Sequence, residues 1–95
     1  MIDKNGIELK KGDKVMITGA YFKNDNGLWR IEHAPGDPDW FGKDYSLRRL
    51  NKNGTDSKDK NNISFWPLCV FTNSWKQRIE AKAHNAEHAQ IEVIA

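Results

Sequence analysis

The sequence predicts a mainly β domain: a small, five-stranded, partly open barrel with one C-terminal helix inserted before the last strand. Three observations carry that expectation. Short stretches of alternating apolar and polar residues recur along the chain, separated by turn-forming Asn-Gly and Gly-Asp pairs. One segment only, residues 72–90, has apolar residues at helical spacing. At 95 residues the chain supports a single modest core, so residues 1–95 form one domain.

The first strand centres on "VMIT", with Val15 and Ile17 facing one way and Met16 and Thr18 the other. Asn26-Gly27 in "KNDNG" is a tight-turn signal, because both residues tolerate positive φ, and it predicts a hairpin. The return strand "LWRIEH" sets Trp29 and Ile31 on one face and Leu28, Arg30 and Glu32 on the other, with Trp29 as core anchor. Eleven residues of "APGDPDWFGKD" then interrupt the strands. A third strand is expected at "YSLRRL", where the odd spacing of Leu47 and Leu50 suits a bulge. Residues 51–62 hold no apolar side chain and read as a hairpin tip. A fourth strand enters "ISFWPLCVF" and is expected to end near Phe65 or Trp66, because Pro67 lacks a ladder donor. In "TNSWKQRIEAKAHNAEHAQ", Ser74 and Gln77 have capping-box spacing, and Trp75, Ile79, Ala83 and Ala86 form an apolar stripe expected to lie on the barrel. "QIEVI" closes the chain as a fifth strand, with Ile91 and Val93 facing inward.

Four Trp, four Phe and two Tyr give large buried areas to a chain that is only 38% hydrophobic, so the core is expected to be small and aromatic-rich. The net charge of +2 is too mild to mark a nucleic-acid binder by itself. Cys69 is the lone cysteine and sits in an apolar run, which excludes an intramolecular disulfide and suits a reducing cytoplasm. No run approaches the ~18 apolar residues of a membrane span, and the first residues lack a signal-peptide apolar region.

Residues 10–31, "KKGDKVMITGAYFKNDNGLWRI", have a Gly-Asp turn, an alternating strand, a glycine, a loop closed by glycine and a second alternating strand. In this quarter of its length the chain resembles the KOW type of SH3-like barrel. The resemblance implies an SH3-like barrel of a type that commonly binds RNA, DNA or other proteins and includes few enzymes.

The candidate site lies in "GDPDWFGKDYSLRR", residues 36–49. Trp40, Phe41 and Tyr45 lie close in sequence to Lys43, Arg48 and Arg49, and Arg30 is expected on an adjoining strand. Rings beside cations suit a protein partner, where Trp, Tyr and Arg dominate binding energy. They equally suit RNA or single-stranded DNA, stacking on bases and pairing with phosphates. Asp37, Asp39 and Asp44 place negative charge among the rings, which favours the protein partner. The rings have a third use, folding inward to plug the open end of a small barrel.

Other chemistry finds little support in the sequence. His84 and His88 are four apart on the expected helix, near Glu80 and Glu87, and are the only metal candidates, with His33 and Cys69 elsewhere. "HNAEH" lacks the glutamate directly after the first histidine that a zinc protease uses as base. Cys69 has no neighbouring base, and no nucleophile elbow or phosphate-cradling glycine loop occurs. The sequence therefore predicts a cytoplasmic, non-catalytic binding module without a cofactor, most simply for a protein partner. A KOW-like nucleic-acid binder is the alternative, and a cryptic metal-dependent enzyme the third reading.

Overall fold

The computed structural model describes residues 1–39, 45–56, 63–64, 68, 71, 79 and 81–94. Its framework is an antiparallel sheet of β1 (Lys14–Thr18), β2 (Gly27–His33), β3 (Ser46–Arg49) and β5 (Gln90–Ile94), with β4 (Ile63–Ser64) adding two residues at one edge. The spatial order is β4-β3-β2-β1-β5, so the first and last strands are neighbours. Among the described residues no ladder joins β4 to β5, and the sheet is open.

Register explains which residues the core receives, because cross-strand partners share a face. Val15 lies opposite Trp29 and Val93, and Ile17 opposite Ile91. Ile31 lies opposite Leu47. Val15, Ile17, Trp29, Ile31, Leu47 and Ile91 are all buried in one cluster with Leu9, Tyr45 and Leu68. Each such aliphatic side chain, fully withdrawn from water, contributes about 1.5–3 kcal/mol. Lys14, Met16, Leu28, Arg30 and Arg48 occupy the opposite face, matching the alternation of the sequence.

The segment before β1 closes the far edge of the sheet. Asp3 Oδ1 accepts from the backbone N–H of Asn5 at 2.9 Å and of Ile7 at 2.8 Å, and Oδ2 accepts from Val93 N–H at 2.8 Å. Lys4 N–H adds a bond to the Ile91 carbonyl at 3.0 Å. The outer edge of β5 is thereby occupied by a carboxylate and a turn rather than by another strand. Burial alone would raise the Asp3 carboxyl, but the donors from Val93, Ile7 and Asn5 hold it below its ordinary value.

Two local expectations are corrected. Asn26-Gly27 does not form a two-residue hairpin turn: Asn26 is extended, at φ −75° and ψ 150°, and the bend is made earlier by a 3-10 turn over Lys23–Asp25. Asn26 instead uses Oδ1 to accept from Ala20 N–H at 2.9 Å, which ties the two ends of the loop together. The bulge falls in β2, where the register shifts between Ile31 and His33, and not in β3. Leu47 and Leu50 are both buried because they serve opposite faces: Leu47 enters the core, whereas Leu50 donates its N–H to Leu28 carbonyl and packs on the outer side.

The apolar stripe expected on the C-terminal helix is also displaced. Ile79 and residues 81–83 are helical, yet Ile79 is 52% exposed and Ala83 is exposed, whereas Ala81 is buried. Asn85 adopts a left-handed φ of 59°, which redirects the chain into a 3-10 turn over Ala86–His88 and then into β5. Of the expected stripe, Ala86, beyond that break, is buried as expected, whereas Ile79 and Ala83, before it, are not. Ser74, Trp75, Gln77, Phe65, Trp66, Pro67 and Cys69 lie outside the described residues.

Candidate functional site

Arg30 on β2 and Arg48 on β3 are direct cross-strand partners on the outer face. Like charges directly opposite would repel, and Glu32, two residues along β2 from Arg30 and on the same face, lies against both. Glu32 Oε1 accepts from Arg30 Nη2 at 2.6 Å and from Arg48 Nε at 3.2 Å. Asp56 engages Arg30 through both carboxylate oxygens. These bonds to Asp56 and Glu32 raise the Arg30 guanidinium above its ordinary value and lower the Asp56 carboxyl. Arg30 therefore spends its fork on internal carboxylates, and Arg48 engages one of them through Nε.

Arg49 takes a different path. It lies opposite Trp29 on the inward side at the end of β3, with its guanidinium 3.9 Å from the Trp29 ring centroid. Nη1 donates to the Asn26 carbonyl at 2.7 Å, and Trp29 Nε1 donates to the Asp25 carbonyl at 3.0 Å. Partial burial pushes the Arg49 guanidinium below its ordinary value, the nearby Asp25 charge opposing the shift. Desolvation likewise raises Asp25, with Arg49 opposing.

Tyr45 is not a ring offered to a partner. It is 7% exposed, packs in the core and accepts a hydrogen bond at its hydroxyl from the Met1 amino group at 3.2 Å. Burial raises its phenol, with the Glu8 charge adding to the effect. An inward position follows from its place directly before β3, whose residues Ser46 and Leu47 are buried. Trp40, Phe41, Lys43 and Asp44 lie outside the described residues. Asp37 behaves as turn chemistry: Oδ1 accepts from Asp39 N–H at 3.1 Å, and Oδ2 pairs with Lys11 Nζ at 3.1 Å.

The exposed aromatic surface among the described residues lies elsewhere, in the loop between β1 and β2. Tyr21 and Phe22 are 53% and 43% exposed, with ring centroids 5.0 Å apart in an edge-on arrangement. His84 packs against both, 4.5 Å from Tyr21 and 5.6 Å from Phe22. Lys23 follows directly and is exposed. The sequence did carry a signal for this patch: two adjacent rings just after the strand-ending Gly19, in a stretch too polar to bury them.

His84 thus stands in a ring stack, and His88 is exposed in the following 3-10 turn. No group of three His, Cys, Asp or Glu is placed to hold a metal among the described residues. His33 Nδ1 lies 2.7 Å from the buried Ser46 hydroxyl. Among the described residues no helix is long and apolar enough to cross a membrane. Comparison with family models, curated proteins and solved structures finds no match to this chain.

Proposed function

We propose that this chain is a non-catalytic protein-binding module on an SH3-like barrel, whose contact surface includes the Tyr21 and Phe22 rings braced by His84. The observation that carries the reading is that cluster: two large rings side by side on one loop, 53% and 43% exposed and packed against His84. Aromatic anchors with an adjacent cation are the groups that contribute most at protein interfaces. Trp40, Phe41 and Lys43 belong to the proposed surface on sequence grounds alone.

The barrel is supported by the strand order, with β1 between β2 and β5 and a 3-10 turn directly before β5. A protein partner is favoured over RNA or single-stranded DNA because Arg30 and Arg48 are engaged by Glu32 and Asp56, which interrupts a phosphate track. A single cysteine supports a reducing cytoplasm as the compartment.

The test places a photo-crosslinking amino acid at Phe22 in native cells. A discrete protein adduct that survives nuclease and is lost with Tyr21→Ser supports the module. An adduct that disappears with nuclease turns the reading to nucleic acid.

A further inference from the structure

Cross-strand register gives the outer face of the sheet a surface of its own. Lys14 on β1 lies opposite Arg30 on β2, and Arg30 lies opposite Arg48 on β3, so three cations form one row across the sheet. Neighbouring strands lie about 4.8 Å apart, and the row therefore spans about 10 Å. Met16 and Leu28, two residues along from Lys14 and Arg30, are cross-strand partners and form a half-buried apolar row beside it.

Two carboxylates face the row, and they are held differently. Glu32 belongs to β2 itself and is 24% exposed, whereas Asp56 is 54% exposed and reaches Arg30 from the turn after β3. Asn51 holds that turn without the Asp56 carboxylate: its N–H donates to the Thr55 carbonyl at 2.8 Å and its Nδ2 to the Asp56 carbonyl at 3.0 Å. An ion pair this exposed adds little to stability and is readily exchanged. Among the described residues Arg48 bonds only through Nε, which leaves both of its Nη groups for a further acceptor. Lys14 is in no ion pair among the described residues, and its Nζ reaches the same turn, 3.5 Å from where a Cβ on Gly54 would stand. Glu92, opposite Met16, is already paired with Lys4.

We propose that the Lys14, Arg30 and Arg48 row binds an acidic segment of a protein partner, with Asp56 as a built-in competitor that the segment displaces from Arg30. Asp56 itself makes the contact required, a carboxylate on the Arg30 fork through both oxygens. One incoming carboxylate exchanges for Asp56 at little net cost, and further ones gain Arg48 and Lys14. A peptide fits better than a phosphate backbone because Glu32 stays in contact with both arginines, and a peptide can set an uncharged residue there. Met16 and Leu28 add apolar contact beside the charges. The proposal does not depend on the Tyr21 and Phe22 patch.

The probe is the hexapeptide acetyl-Leu-Glu-Glu-Leu-Glu-Glu-amide, titrated at low ionic strength against 15N-labelled protein, with glutamine in place of every glutamate as control. Saturable shifts of the Lys14, Arg30, Arg48 and Asp56 amides are expected, with the control binding about fivefold more weakly or worse. Asp56→Asn keeps the backbone bonds of the turn and is expected to bind the acidic peptide about twofold to fivefold more tightly. Arg48→Gln is expected to bind it about fivefold more weakly. Equal binding of acidic and control peptides overturns the proposal, as do no saturable shift, shifts confined to other residues, or affinity not raised by Asp56→Asn or not lowered by Arg48→Gln. Tetra-uridylate binding more tightly than the acidic peptide overturns the choice of a protein occupant. The peptide control needs no variant, so a folding defect cannot mimic success.

Discussion

The absent side chain of Gly27 and the guanidinium of Arg49 occupy one space, and Gly27 is held at φ +115°, where other residues are strained. Gly27→Ala is therefore expected to destabilise the fold by about 1–3 kcal/mol from backbone strain, and to displace Arg49 from Trp29. Urea unfolding measures the first effect and Trp fluorescence the second. Repeating the substitution in an Arg49→Met background separates them: the strain persists, and the contact penalty does not.

Arg49→Met alone removes one stacked cation and one hydrogen bond to a partly buried carbonyl. A loss of about 1–2 kcal/mol is expected, read as a lower urea midpoint with unchanged slope. An unchanged midpoint would show that the Arg49–Trp29 contact does not stabilise the fold.

Asp3 closes the β5 edge only as a carboxylate. Its lowered pKa means that its contribution is fully present above the ordinary carboxyl value of about 3.9 and is lost as pH falls through the depressed value. Asp3→Asn is expected to lower thermal stability at neutral pH, because an amide nitrogen cannot accept from Val93 N–H. It should also flatten the fall of stability below about pH 4, leaving the share that comes from the lowered Asp37 and Asp56 carboxyls. Asp3→Ala additionally uncovers the Val93 donor, and concentration-dependent self-association is the expected readout in sedimentation.

Tyr45→Phe keeps the buried ring and removes only a long hydrogen bond at the hydroxyl. A stability change under about 1 kcal/mol and unaltered partner binding are expected. Loss of binding with intact folding would return Tyr45 to the contact surface.

Much of the sheet was legible in the sequence because period-two alternation maps directly onto faces. Val15, Ile17, Trp29 and Ile31 enter the core as their spacing requires. The features that were not legible depend on long-range closure. Asn26-Gly27 has the composition of a tight turn, but the loop is closed from Ala20 by the Asn26 side chain. Local spacing puts Arg30 and Glu32 on one face, but the cross-strand position of Arg48 and the reach of Asp56 from a distant loop depend on register, which local spacing does not reveal. Tyr45 was read with its loop neighbours, whereas its orientation is set by the strand that follows.

The module's central claim rests on the exposed rings, and the direct measurement is calorimetric titration of the crosslinked partner, once identified and purified, with unaltered protein and with Tyr21→Ser/Phe22→Ser. Both side chains are solvent-exposed, so the double variant is expected to keep its fold, checked by circular dichroism. The expected result is at least about tenfold weaker binding, since an aromatic anchor contributes 2 kcal/mol or more at an interface. Equal affinity for the two proteins would contradict the account.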